Sequence, residues 1–451
     1  ALAPAQCRGF SFGLLKGEPP ILTQQGVIRV SKAQLPKTQR FAAGMNTLAP
    51  NYAMPEGSVR DATNMDVTNE GVLRTRDGYS AAARVAGVRC HSLYADVGMM
   101  LHADGNSLKR TIGPITETVS TGLQPASPVC YATLPTNEIV WSDGFSVGKV
   151  SASGNSVPLG LAAPSSPVLS AVANGLLKAG TYQFAVTWAK ATGEESTPSL
   201  PISIKVIEGA GVVLSGLPTS APSGVVAIQI YASHADEGVL FLATSVMVGT
   251  STARIDAPPS GRPLETLFES PFPACTSLAF AAGRLLGFRG NALYWSEPFR
   301  FGVTRPAKNF IQFSQPGSMI APTQDGVYVG TLGESGDGEV GFLSGFDFGN
   351  QPYRQVTPYP AYPGTLANFP HTTQMVWASP EGFVVADNGG QIANISMDKV
   401  AFPSARRGGS MLREQNGMRQ IVSSLQQYGP DNDFAVTDYA EADIIKGASN
   451  G

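Results

Sequence analysis

MMLHADGNSLKR (99–110) and EIVWSDGFSVGKV (138–150) are two copies of one phrase: an apolar strand, an Asp-Gly turn and a second strand. The Asp143-Gly144 turn follows the Asp104-Gly105 turn by 39 residues, and a short strand precedes each copy, Ser92-Leu93-Tyr94 and Val129-Cys130-Tyr131. A period of roughly 40–50 residues, each made of about four short strands, is that of a propeller blade. The phrase returns three times further on. Ser277-Leu278-Ala279-Phe280 precedes GRLLGFRGNALYWSE (283–297), Ser318-Met319-Ile320-Ala321 precedes DGVYVGT (325–331) and GFLSG (341–345), and Gln374-Met375-Val376-Trp377 precedes EGFVVADNGGQIANIS (381–396).

Five copies are thus visible. A hairpin lies ahead of them, with Arg60-Asp61-Ala62-Thr63-Asn64-Met65-Asp66-Val67 and Val72-Leu73-Arg74-Thr75-Arg76 flanking a Thr68-Asn69-Glu70-Gly71 turn. This hairpin, with Arg60 expected to pair Asp61 or Asp66 in a structural role, or the segment near 411–427, is expected to complete a sixth unit by joining the chain ends. Such closure removes exposed sheet edges. The predicted fold class is all-β: a propeller of five to six blades.

Between the second and third copies the phrase stops. Ala163-Pro164-Ser165-Ser166-Pro167 and Ala257-Pro258-Pro259-Ser260-Gly261 bracket a different pattern, GTYQFAVTWAKA (180–191), ISIKVI (202–207), GVVLSGL (211–217), VVAIQIYAS (225–233) and VLFLATSVM (239–247). Alternating strands at this spacing, with Trp188 and Tyr231 expected to share one core, predict an inserted immunoglobulin or fibronectin-III-like sandwich. The predicted organisation is an irregular arm over 1–40, a first propeller part over 41–164, the sandwich over 165–261, a second propeller part over 262–427 and an acidic tail over 428–451.

Composition narrows the function classes. Of 451 residues 14% are charged, 50 are Gly and 34 are Pro, and the formal net charge is −3. That favours short strands joined by many turns, and it supplies no basic footprint for gripping phosphates. Cys7, Cys90, Cys130 and Cys275 form no CxxC pair and are expected as buried free thiols. No apolar run approaches the ~20 residues of a membrane helix, and Ala1-Leu2-Ala3-Pro4 does not open a signal peptide, so synthesis in a cytoplasm is expected.

Several strings imitate active sites. Gly144 to Val150 is short of a phosphate loop by one residue between its glycines and by the Ser or Thr after Lys149. Gly333-Glu334-Ser335-Gly336-Asp337-Gly338 has Asp where a nucleophile elbow needs Gly, and the histidines His91, His102, His234 and His371 are scattered. Asp61, Asp66, Asp77, Asp104 and Asp143 stand mostly in turns, where a carboxylate bonds its own backbone. Ser142-Asp143-Gly144 lacks the spacing and Trp of a sialidase Asp-box, Asp431-Asn432-Asp433 lacks the Gly and Glu of a calcium loop, and Asn394-Ile395-Ser396 reads as a chance sequon. No catalytic residue, cofactor or metal is expected, and the chain reads as no enzyme.

Longer phrases are familiar. GMNTLAPNYAMPEGSVRDATNMDVTNEGVLRTRDGY (44–79), AGTYQFAVTWAKATGEES (179–196), LETLFESPFPACTSLAFAAGRLLGFRGNALYWSEPFRFGVTRPAKNFIQF (264–313), MIAPTQDGVYVGT (319–331), PYPAYPGT (358–365) and MLREQNGMRQIVSSL (411–425), in this order, resemble the tail nozzle or tail hub proteins of short-tailed bacteriophages. The resemblance covers most of residues 41 to 425. It implies a virion protein of the tail, assembled as a six-fold homo-oligomeric ring below the portal and adaptor. Tail fibres or spikes would be neighbours, and the ring would hold a channel through which double-stranded DNA passes. A Lys/Arg-poor chain suits a channel that must not grip DNA. The acidic turn residues Glu334, Asp337 and Glu339 are expected to face that channel or a neighbouring subunit. The alternative is a receptor- or glycan-binding adhesion module, with Trp188 as an exposed platform on the sandwich.

Overall fold

The computed structural model describes residues 40–427 apart from 69, 77–89, 126, 370–371 and 416–417. The predicted arm over 1–40, save Arg40, and the tail over 428–451 therefore lie outside the described residues, as do Cys7, Asp77, His371 and Asp431 to Asp433. Five four-stranded antiparallel meanders carry the repeat. Blade 1 is Cys90–Asp96, Met99–Asp104, Ser107–Ile112 and Ile115–Thr121; blade 2 is Cys130–Thr133, Ile139–Ser142, Val147–Val150 and Val157–Pro158. Blade 3 is Ser277–Ala281, Arg284–Arg289, Ala292–Trp295 and Phe310–Gln312; blade 4 is Gly317–Pro322, Gly326–Thr331, Val340–Ser344 and Tyr353–Thr357. Blade 5 is Ala367–Asn368, Met375–Ser379, Gly382–Ala386 and Ile392–Asn394, so the strand expected to open the fifth copy is the second of its sheet.

What makes these sheets a propeller is that each core cluster is shared by two successive blades. Leu101 and Leu108 of blade 1 pack with Ile139 and Trp141 of blade 2; Ala132 and Val140 of blade 2 with Leu278 and Leu285 of blade 3. Phe288 and Trp295 meet Ile320 and Val329, Tyr328 and Phe342 meet Trp377 and Val384, and Val376 and Phe383 meet Ala405, Ile421 and Leu425. Central strands buried on both faces read as continuous apolar runs, as in Ile139-Val140-Trp141. Gly148 stands opposite Trp141 in the register, and a Cβ there would lie 2.8 Å from the indole Nε1. Its role is to admit that ring.

Beyond blade 5 lie two separate hairpins from distant parts of the chain, which share no sheet and meet through Asp66 and Arg413. A long hairpin, Ala405–Gln415 with Met418–Gln427, follows blade 5, and the early hairpin Met65–Val67 with Leu73–Thr75 meets it. Asp66, nearly buried, lies 3.5 Å from Arg76 and 3.2 Å from Arg413. The Arg60 expectation is corrected: its guanidinium donates to the carbonyls of Thr47 and Ala49, while Asp61 accepts from the Thr63 hydroxyl at 3.0 Å. Carbonyls of an irregular loop have no ladder partner, and a long forked donor satisfies them.

The insertion folds as two antiparallel sheets over one core. Val168–Leu177, Ala210–Ser215 and Thr252–Ile255 form the first, and Ile202–Val206, Gly180–Lys190, Val225–Ser233 and Leu240–Met247 the second. Tyr182, Phe184, Val186 and Trp188 of one sheet pack on Val212, Leu214 and Ile255 of the other. Its first two strands lie in opposite sheets, whereas an immunoglobulin constant domain places strands A and B side by side. One expectation fails on parity. Successive strand residues point to opposite faces, so Ile230 and Ala232 enter the core with Trp188, while Tyr231 faces the other way, against Ala185, Leu240 and Leu264. That second face is covered because the returning chain crosses it, so the boundary drawn at 261 cuts through a strap belonging to the sandwich.

Candidate functional site

Three charge clusters organise the molecule, and each ties together segments far apart in sequence. Where the two hairpins meet, Asp66 holds Arg76 and Arg413. At the strap, Glu195 accepts from Thr187 at 2.6 Å, from the Tyr231 hydroxyl at 2.8 Å and from Arg262 Nη2 at 2.6 Å, and Arg262 also donates to Gln229. Burial, then the Glu195 carboxylate, pushes the Tyr231 hydroxyl well above its ordinary pKa, so it stays a donor. At the stem, Glu269, whose side chain is 0% exposed, takes a forked pair from Arg300 at 2.8 and 2.5 Å. Arg305 bridges Glu269 and Glu297 at 3.6 Å each. Alongside, Ser270–Pro271 pairs with Val303–Thr304. Each cluster pairs carboxylate with guanidinium, one Asp with two Arg at Asp66, one with one at Glu195 and two with two at Glu269, which is the chemistry of clamps.

The imitators of active sites resolve into structure. Asp143 accepts backbone N–H bonds from Phe145 and Ser146, at 2.9 and 2.6 Å, within its own turn and from Gln124 at 3.0 Å. Asn394 donates to the Glu381 carbonyl and accepts from Ser396 and Met397. His91 and His102 lie on blade 1 and His234 in the sandwich; burial lowers the pKa of both blade histidines. Cys130 and Cys275 are free thiols, and burial pushes Cys275 up to about 12. Among the described residues no three His, Cys, Asp or Glu side chains gather as metal ligands. No described helix is long and apolar enough to cross a membrane.

The acidic turn joins the second and third strands of blade 4. Glu334 and Asp337 are exposed, and Asp337 accepts from Gln315 Nε2 at 2.7 Å. Glu339, just ahead of the third strand, is held by Tyr353 and Gln355 of the outermost strand, the Tyr353 hydroxyl at 2.5 Å and Gln355 at 2.6 Å. The structure brings Glu334 and Asp337 together on one loop and separates them from Arg60, Asp61 and Asp66 on the opposite end of the chain.

The surface feature that sequence reasoning missed is a sheet edge. Blades end on strands of two or three residues (Val157–Pro158, Phe310–Gln312, Ile392–Asn394) or on strands bearing a charge, Glu117 and Arg354. In the sandwich Lys205 and Arg254 mark two edges. The third, Leu240–Met247, is paired by the strap: Arg262 O accepts from Leu242 N at 2.9 Å and Leu264 N donates to Leu240 O at 2.8 Å. Val168–Leu177, VLSAVANGLL, has no charge and no Pro and pairs with Ala210–Ser215 on one side; its register shifts after Val172, where Arg254 donates to the Ala173 and Asn174 carbonyls and Leu176 N donates to Asp256 O, so the open stretch is Val168–Val172. Val168 and Leu176 are 67% and 74% exposed. Its lack of alternation and its Asn-Gly pair hid it as a strand.

No protein-family model matches the chain, and no curated protein matches it. Among solved structures it is similar to a gluconolactonase from Xanthomonas campestris, with 10% identity over 75% of this chain and 84% of that one and a TM-score of 0.31. It is similar to TolB from Acinetobacter baumannii, with 12% identity over 67% and 62% and a TM-score of 0.22. The extracellular domain of a hybrid two-component system of B. thetaiotaomicron matches at 9% over 80% and 38%, with a TM-score of 0.31. Similarity this loose says nothing of activity. The class is defined by the chain's own sheets: a β-propeller of five four-stranded blades followed by a hairpin unit, with a two-sheet sandwich inserted between blades 2 and 3.

Proposed function

We propose that this chain is a structural protein of a bacteriophage tail, a nozzle or hub subunit that assembles with copies of itself into a ring below the portal and adaptor. The collinear phrases of residues 44–425 support the tail assignment. The observation that carries self-assembly is the uncharged open edge at Val168–Val172. Unpaired strand edges template association, and proteins that stay monomeric blunt them with charge, proline or a cover. This chain marks two other sandwich edges with Lys205 and Arg254 and covers the start of the third at Leu240–Leu242, while Val168–Val172 carries none of these. A closed ring needs a head-to-tail contact in which one surface of a copy meets a different surface of the next; the edge supplies one half.

The adhesion reading loses its platform, because Trp188 is 4% exposed and sits between the two sheets. Within this proposal the clamps at Asp66, Glu195 and Glu269 keep each subunit rigid, and double-stranded DNA passes without being gripped. Native mass measurement and electron microscopy of the full chain, alone and mixed with portal and adaptor, test it. A six-fold ring with an axial channel is expected. A chain that stays monomeric in both conditions, or one that hydrolyses glycans or esters in a screen, overturns it.

A further inference from the structure

A cleft of about 250 Å³ opens at the seam of blades 4 and 5. Among the described residues that line it, seven of nine carry an amide or a hydroxyl and none is ionisable, while Pro322 and Met375 supply the apolar part. The loop that forms one wall is fixed from behind. Asp387 accepts from the Thr373 hydroxyl at 2.5 Å, from Asn388 N at 2.8 Å and from Gln374 Nε2 at 3.5 Å. Those bonds, the Thr373 one foremost, hold its carboxyl below the usual range. The buried Tyr328 hydroxyl donates to the carbonyls of Asp387 and Gln391 at 2.6 and 2.9 Å, and Arg354 donates to those of Gly389 and Gly390. On the facing wall Asn388 Oδ1 accepts from Gln324 N at 3.2 Å, which points that amide across the seam.

We propose that this cleft is a binding site for a neutral sugar residue. A carboxamide both donates and accepts, and Gln324, Asn368 and Asn388 present three of them to one small space. That set matches vicinal hydroxyls, each of which is also donor and acceptor. Among the described lining residues a phosphate or carboxylate would find no cation and a nucleobase no aromatic face. Pro322 and Met375 suit the C–H face of a pyranose. The anchoring by Asp387, Tyr328 and Arg354 means that little ordering remains to be done on binding, which is how a small polar site gains affinity. The site is independent of the assembly contact, since it lies on the propeller and the bare edge on the sandwich.

Saturation-transfer NMR on the full-length protein with the methyl glycosides of glucose, galactose, mannose and N-acetylglucosamine tests the proposal. Transfer to at least one of them is expected, with a Kd on the order of millimolar, the scale for a ligand of about a dozen heavy atoms. Gln324→Ala with Asn388→Ala should weaken it about tenfold, the loss of roughly one well-made hydrogen bond set, with the thermal midpoint unchanged. Asn368→Ala, an exposed position, serves as a second variant should the pair disturb the loop, and the same loss is expected. Silence from all four glycosides, or transfer that survives both the pair and Asn368→Ala in folded protein, overturns the assignment, and neither result bears on whether the chain forms a ring.

Discussion

The inserted sandwich has two long edges treated in opposite ways. Along Leu240–Met247 the chain doubles back, pairs residues 261–264 with the strand and lays Leu264 over Tyr231. Along Val168–Val172 nothing among the described residues continues the ladder, whereas beyond it the register shifts and Arg254 holds the Ala173 and Asn174 carbonyls. Both edges belong to one domain, so folding of that domain does not account for the difference. The first edge is closed within the subunit at Leu240–Leu242, and Val168–Val172 is available to another subunit. Stability should therefore be sensitive to the first and indifferent to the second, a contrast that graded substitutions can break or sharpen.

The largest effect is expected from Leu264→Asp. Leu264 is buried against Ala185, Tyr231 and Leu240, and a carboxylate there removes the apolar contact and buries a charge, which should cost about 3 kcal/mol of unfolding free energy in denaturant titration. Light scattering should rise as the edge is uncovered. Full stability in this variant would mean that the strap does not close the edge.

Glu269→Gln acts one step away, on the clamp that anchors the strap to blade 3. Glu269 is enclosed while Arg300 and Arg305 are about 40% exposed, so the orphaned guanidiniums can turn to water, and a loss of about 2 kcal/mol is expected rather than that of a fully buried pair. Arg262→Ala should cost less, about 1 kcal/mol. Its guanidinium is partly exposed, and Glu195 keeps the Thr187 and Tyr231 donors. A larger loss for Arg262 than for Glu269 would reverse the ranking and place the strap's anchor at the sandwich instead of the stem.

The repeat was legible because its signal is local. An apolar strand, a tight turn and another strand fall within fifteen residues, and five such units at a steady period leave few folds to choose from. Sandwich strands with β-branched and aromatic residues were legible for the same reason. What failed depended on residues distant in sequence. That Tyr231 turns away from Trp188 follows from parity, but that its face is buried depends on a strap thirty residues on. Arg60 stands beside Asp61 in the chain, yet its partners are the Thr47 and Ala49 carbonyls, and the acid it was expected to pair is taken by Arg413. That Gly148 is structural and no part of a phosphate loop was legible, but its particular task, admitting the Trp141 ring of the neighbouring strand, was not. The edge Val168–Leu177 has neither alternation nor charge, the two marks by which strands and surfaces are recognised.

The smallest effect on stability should come from Val168→Lys with Ser170→Lys. Both side chains are exposed, and neither belongs to the sandwich core. Surface changes of this kind usually stay within about 0.5 kcal/mol. Two ammonium groups on a strand edge are nevertheless the device by which natural sheets refuse partners, because a pairing strand would have to bury or skirt them. The double variant should therefore unfold at the wild-type denaturant midpoint, while its native mass falls from the ring to the single chain. If its stability drops as far as that of Leu264→Asp, the edge is part of the subunit's own fold and the contrast between the two edges collapses. If the ring persists, the subunits meet elsewhere on the molecule, and the bare edge must be explained by a partner other than a second copy.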